Sequence, residues 1–166
     1  MKNTYIELGI NPRGTILVLA PVVKGRQFSP TSMMLSDLER KGMADSTNMI
    51  GQMLFVALGS FHPEIKRYRL RPPPPLTPPF PTHPPPGEPR GAMRGRRTGL
   101  GFVQDTKQAM LFIRNYENEQ PFGQESRQSL NDLEQVGTTI APSLIGTAML
   151  RKLADMHPDV TWLQAI

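Results

Sequence analysis

Apolar positions along this chain follow two patterns, and each pattern occurs twice. Thr15–Val23 (TILVLAPVV) and Ala109–Tyr116 (AMLFIRNY) are short apolar runs of strand length. Further on, Met49, Ile50, Met53, Leu54, Ala57, Leu58 and Phe61 recur at the i, i+1, i+4, i+5 spacing of one helical face. Leu144, Ile145, Ala148, Met149, Leu153 and Met156 repeat that face, interrupted where Lys152 stands opposite Ala57. Ser46 is placed to cap the first long helix, and Pro142 suits the first turn of the second. Both helices are expected to end at His-Pro, because proline disfavours the α conformation in the residue before it. A shorter helix precedes each. In the first copy Ser29 caps it, Pro30 opens it and Gly42 ends it in a left-handed conformation; in the second it runs from Ser126 to Val136 and stops at Gly137.

These parallels extend to the residues themselves. Aligned without gaps at an offset of 95, residues 35–65 and 130–160 are identical at ten of 31 positions: Leu35/Leu130, Asp37/Asp132, Leu38/Leu133, Glu39/Glu134, Gly42/Gly137, Ile50/Ile145, Gly51/Gly146, Leu58/Leu153, His62/His157 and Pro63/Pro158. Average composition gives roughly two by chance. The expected fold class is therefore α+β and mostly helical. It consists of two tandem small repeats (short strand, short helix, long amphipathic helix) joined by a polyproline linker. The boundaries read as 1–71 for the first repeat, 72–99 for a Pro/Arg/Gly-rich linker and 100–166 for the second. Halves of this size bury only ~60% of their surface and are marginal alone, so the long helices are expected to pack on each other or on another copy.

Composition sharpens the middle of this picture. The chain has 166 residues with 18 Pro, 14 Gly, no Cys and a net charge of +5. Eleven of the eighteen residues from Pro72 to Pro89 are proline, which blocks both helix and ladder and favours an extended polyproline II spacer. From Lys66 to Arg97 eight basic side chains face a single acid, Glu88. The basicity thus belongs to the connector, where Arg67, Arg69, Arg71, Arg94, Arg96 and Arg97 are candidates for an electrostatic contact with an acidic partner. Nucleic-acid contact there is expected to be weak and non-specific, since Phe80 is the only aromatic in the proline run and offers no stacking array. Absence of cysteine excludes disulfides and thiol chemistry, and no apolar run reaches the ~20 residues a transmembrane helix needs. The expectation is a cytoplasmic protein that binds no membrane.

No motif points to catalysis, metal or cofactor. His62 and His157 recur, but each stands at a helix end without a second ligand nearby; the expected role is an imidazolium complementing the helix dipole. Asp37, Glu39, Asp132 and Glu134 repeat as D-L-E, a spacing at which carboxylates on a helix do not face each other. Gly99 and Gly101 give half of a phosphate loop and no more. Arg69 to Pro75 fits R-x-x-P-x-x-P, the pattern of an SH3 ligand, but a plain spacer is the favoured reading, since composition alone explains the match.

The closing phrases HPEIK (His62–Lys66) and HPDVTWL (His157–Leu163), each behind an apolar helical face, resemble the small tail assembly chaperones of tailed bacteriophages. That resemblance covers about 45 residues of each half and implies a non-enzymatic role: binding the helical tape measure protein in the host cytoplasm before tail polymerisation. Client-binding candidates are then Met49, Met53, Leu54, Phe61, Leu144, Met149 and Met156, in keeping with the adaptability of methionine-rich surfaces. The partner is expected to be a protein, with self-association as a further property. An adaptor or virion component, whose proline linker spans two binding sites, is the alternative.

Overall fold

The computed structural model describes residues 4–72, 92–104 and 107–166. Most of the proline run, and with it the end of the R-x-x-P-x-x-P motif, lies outside the described residues. Strands β1 (Thr4–Ile10), β2 (Ile16–Val23), β3 (Arg26–Gln27) and β4 (Thr31–Met34) lead into helices α1 (Leu35–Lys41) and α2 (Met43–Phe61), then a 3-10 turn over Pro63–Arg67. Strands β5 (Arg96–Gln104), β6 (Ala109–Glu117) and β7 (Gln120–Ser129) follow, then α3 (Leu130–Val136), α4 (Ile140–Met156) and a short α5 (Thr161–Gln164).

The expectation of a mostly helical chain made of two tandem units is overturned. All seven strands belong to one antiparallel sheet in the order β3-β2-β1-β5-β6-β7, with β4 also pairing with β2. The halves are joined edge to edge, since β1 pairs antiparallel with β5 through Tyr5↔Gly101, Ile6↔Leu100, Glu7↔Gly99 and Leu8↔Thr98. β5 also takes in Arg96–Gly99, which composition had assigned to the connector. Two physical reasons account for the extra strands. β5 carries glycines because bulky neighbours occupy the space beside it, and β7 is polar because it is an edge strand with solvent on one side.

Both long helices lie on one face of the sheet. Ile6, Leu8, Leu17, Leu100, Leu111 and Ile113 meet Ile50, Leu54, Leu58, Ile145, Met149 and Leu153 in a single core cluster. α2 and α4 cross at Gly51 and Gly146, the same position in each half. A Cβ on Gly51 would collide with the Pro142 carbonyl, and one on Gly146 with the Thr47 carbonyl. Both helices end where proline requires, with His62 and His157 as C-caps. The starts differ from expectation. α2 begins at Met43, so Ser46 lies inside the helix and its hydroxyl donates to the Leu38 carbonyl at 2.7 Å. Segment 31–34 is strand, and α1 and α3 begin only at Leu35 and Leu130, the latter capped by Ser129. Gly42 and Gly137 end the short helices with φ near 100° but extended ψ, so the positive φ is present without the left-handed helical turn.

The opposite face of the sheet also buries aromatic side chains. There Tyr5 and Tyr116 stack with ring centroids 4.4 Å apart and planes 2° from parallel. Gly99 lies beneath them, and a Cβ on it would come within 2.7 Å of Tyr116 and 2.8 Å of Tyr5. The β2–β3 and β6–β7 hairpin tips approach each other, with the Glu119 carboxylate 3.3 Å from the Cβ position of Gly25. Glu7 is 1% exposed on this face, where Arg97 donates to it at 3.1 Å and Gln27 at 3.0 Å.

Candidate binding groove

α2 lies over the β2–β4 side of the sheet and leaves an open groove of about 890 Å³ along its flank. Leu19 and Pro21 line it from β2, and Met49, Met53, Val56 and Ala57 from α2. Ser29, Thr31, Lys41, Asp45 and Arg71 contribute polar groups to the lining, and Pro72 lines it as well. Where the helices meet, Asn48 donates to the Thr139 carbonyl and the Ser143 hydroxyl, both at 2.7 Å, and Gln52 donates to Asn48 at 2.6 Å.

A smaller groove of about 540 Å³ occupies the corresponding place beside α4, lined by Ile113, Ser126, Leu144, Ala148 and Arg151. Two substitutions distinguish the grooves. Arg151 replaces Val56, and Lys152 replaces Ala57; Lys152 Nζ donates to the Gln124 carbonyl of β7 at 3.3 Å and so bridges helix and edge strand. The edge strand differs as well. β7 is continuous, whereas β3 and β4 are separated at Phe28–Pro30, where Ser29 has φ 39° and Pro30 offers no amide. The first groove is thus the larger of the two, and α2 places Val56 and Ala57 where α4 places Arg151 and Lys152.

Of the client-binding candidates, Met53 lines the groove half-buried and Met49 forms part of its wall while only 5% exposed. Leu54, Met149 and Met156 are built into the core, so their side chains hold the helices to the sheet and are not offered to a client. Phe61 and Leu144 are exposed, Phe61 at the end of α2 and Leu144 beside the smaller groove. Val56, 50% exposed, was missed by periodicity because it lies off the apolar stripe. Its signal was the comparison with Arg151.

The connector arginines divide similarly. Arg67 and Arg69 are exposed, the Arg69 amide donating to Glu134 at 2.7 Å, and Arg71 reaches the groove. Arg94, Arg96 and Arg97 are engaged within the fold. Arg94 grips Asp159 with two bonds of 2.9 and 2.8 Å, Arg96 lies 3.8 Å from Glu117, and Arg97 holds Glu7. The D-L-E carboxylates stand apart from the groove on α1 and α3, with Asp37 paired to Arg40.

The two histidines are not imidazoliums. Burial holds both below the ordinary histidine range. His157 Nε2 donates to the Arg96 carbonyl at 2.9 Å, and its Nδ1 faces the Arg94 guanidinium at 3.3 Å, which requires an unprotonated acceptor there. His62 packs on Phe102 at 5.1 Å with its Nε2 buried and unpartnered among the described residues. At the helix ends His62 packs on an aromatic ring and His157 ties the helix to β5 through the Arg96 carbonyl.

No helix among the described residues is long and apolar enough to cross a membrane. No protein-family model matches the chain, and comparisons with curated proteins and with solved structures find no match.

Proposed function

We propose that this protein is a non-enzymatic assembly factor or chaperone of the cytoplasm that holds an apolar helical segment of a client protein in the groove beside α2. The observation that carries the reading is the difference between the two related grooves. Where one half keeps Arg151 and Lys152 and bridges its groove, the other places Val56 and Ala57 and leaves an apolar trough. Exposed apolar surface of this kind, with Val56 half exposed beside the partly buried Met53, costs solubility unless something covers it. The trough is open along its side, which suits a segment of a larger partner, and methionine adapts to partners of differing shape. The titratable groups among its lining residues are Lys41, Asp45 and Arg71. The tape measure proteins implied by the HPEIK and HPDVTWL phrases are a client class of the required kind, being long, helical and apolar.

The test is binding of a fluorescently labelled amphipathic helical peptide to the full chain and to a Val56→Arg, Ala57→Lys variant that imports the side chains of the second half. Binding to the native chain and at least a tenfold loss in the variant is the expected result. Equal binding by both would overturn the groove as the client site.

A further inference from the structure

A second cavity, of about 830 Å³, lies by the tyrosine stack and shares no lining residue with the groove beside α2. The β2–β3 and β6–β7 hairpin tips meet at its edge, where the Glu119 carboxylate lies 3.3 Å from the Cβ position of Gly25. Alternation along β6 puts Phe112, Arg114 and Tyr116 on one face of the sheet, and the ladder sets Arg127 of β7 opposite Phe112. All four line the cavity, with Val103 of β5 beside them.

Charge in this cavity does not balance. Lys24, Arg114 and Arg127 stand against Glu119 and Glu125, one cation in excess. Glu125 serves both arginines: Arg127 Nε donates to it at 2.6 Å, while Arg114 Nη1 is 3.9 Å away. Arg114 Nε is buried and has no hydrogen-bond partner among the described residues. A buried donor left unmet is costly, and a guanidinium offers Nε–H and a neighbouring Nη–H side by side, at the spacing of two carboxylate oxygens. We propose that this cavity binds a small organic monoanion, a carboxylate on a flat apolar body, whose oxygens meet the Nε edge of Arg114 while the body packs among Phe112, Tyr116 and Val103.

Each part of the ligand answers part of the wall. One negative charge cancels the one excess cation, whereas a dianion would be repelled by Glu119 and Glu125. An inorganic anion would leave the aromatic wall facing water, and a flat body gives it rings to pack against. Orientation comes from the guanidinium edge, and most of the buried area from the rings.

The experiment follows the Arg114 Nε–H signal of the isotopically labelled full chain by NMR, assigned by its loss in Arg114→Lys. Three probes are titrated: naphthalene-2-carboxylate, its neutral carboxamide and inorganic phosphate. The carboxylate should move the Nε–H signal and bind with Kd below about 1 mM, with the other two at least about tenfold weaker. Arg114→Lys, which keeps the charge but removes the fork, should weaken the carboxylate at least about tenfold, and so should Val103→Glu, which sets a like charge at the half-buried wall. Equal binding of the carboxamide would overturn the anion site, and equal binding of phosphate would overturn the apolar half of the ligand. An unmoved Nε–H signal, or undiminished carboxylate binding in both folded variants, would overturn the assignment to this cavity.

Discussion

Asn48 donates a 2.7 Å hydrogen bond to Ser143, so that two equivalent positions of the related halves touch across the helix pair. The same crossing brings Gly146 against the Thr47 carbonyl, leaving no space for a Cβ. The two contacts differ in cost. Asn48→Ala removes hydrogen bonds at a half-exposed site and should lower stability by about 1 kcal/mol. Gly146→Ala forces the helix backbones apart and should cost on the order of 3 kcal/mol. Urea unfolding with an unchanged denaturant slope checks both, and a Gly146→Ala loss no larger than that of Asn48→Ala would contradict the tight crossing.

Acid should weaken the fold through its two buried histidines. Burial lowers the folded-state pKa of His62 and of His157, while the unfolded chain titrates near the ordinary value of 6.5. Below that pH the unfolded state binds more protons than the folded one, so stability declines as pH falls from 6.5 toward the folded values. Above 6.5 both states are neutral at these rings and the contribution is flat. Urea midpoints between about pH 7.5 and pH 5 should fall in the native chain and fall less in His62→Phe. A native midpoint independent of pH over that range would rule the mechanism out.

Alkaline conditions act on the other face of the sheet. Burial raises the Tyr5 hydroxyl well above its ordinary value, helped by the Glu7 charge, and burial raises Tyr116 as well. Unfolded tyrosine ionises near pH 10, so above that pH the unfolded state holds fewer protons and stability falls as pH rises. Absorbance titration should show Tyr5 and Tyr116 ionising only as the chain unfolds. Ionisation of Tyr5 and Tyr116 near pH 10 in the folded chain would show that the stack does not shield them.

Removing the Arg97 cation leaves the buried Glu7 carboxylate with Gln27 alone. Arg97→Ala should therefore cost about 3 kcal/mol, within the range for breaking a buried pair. The double change Glu7→Gln, Arg97→Ala should recover much of that loss, because no charge then remains to be compensated. Thermal unfolding of the native chain, the single and the double variant measures the coupling.

Importing the bridge of the second half tests the groove independently of any client. Val56 is exposed and Ala57 is half-buried at the groove wall, so Val56→Arg, Ala57→Lys should change stability by less than about 0.5 kcal/mol. Binding of an environment-sensitive apolar dye should drop in the same variant. A folded variant that binds the dye as well as the native chain would place the apolar surface elsewhere.

Elements with a strong period were legible in the amino-acid pattern. β2 and β6 fall on the two apolar runs, and α2 and α4 follow their faces and stop at His-Pro. β1 was passed over because TYIELGI sits at the start of the chain with glutamate at its centre, although that glutamate is buried against Arg97. β5 was hidden by Gly99, Gly101 and its arginines, which resemble a linker until the tyrosine stack and Phe112 are seen to fill the glycine positions. β7 has an edge strand's composition, so its ladder with β6 leaves little hydrophobic trace. At the candidate site, periodicity alone could not separate Met53, which lines the groove, from Met149, which the core absorbs, because both lie on apolar faces. The informative signal was local difference between the halves, above all Ala57 against Lys152.

Both borders of the sheet resist the addition of a further strand. Ser29 and Pro30 interrupt one border between β3 and β4. At the other, β7 carries Pro121, which offers no amide, and its ladder with β6 is broken by a bulge. Strand addition needs an uninterrupted row of amides and carbonyls, and neither border of the described sheet supplies one. A proline at each border thus keeps a sheet-rich protein from growing by edge pairing.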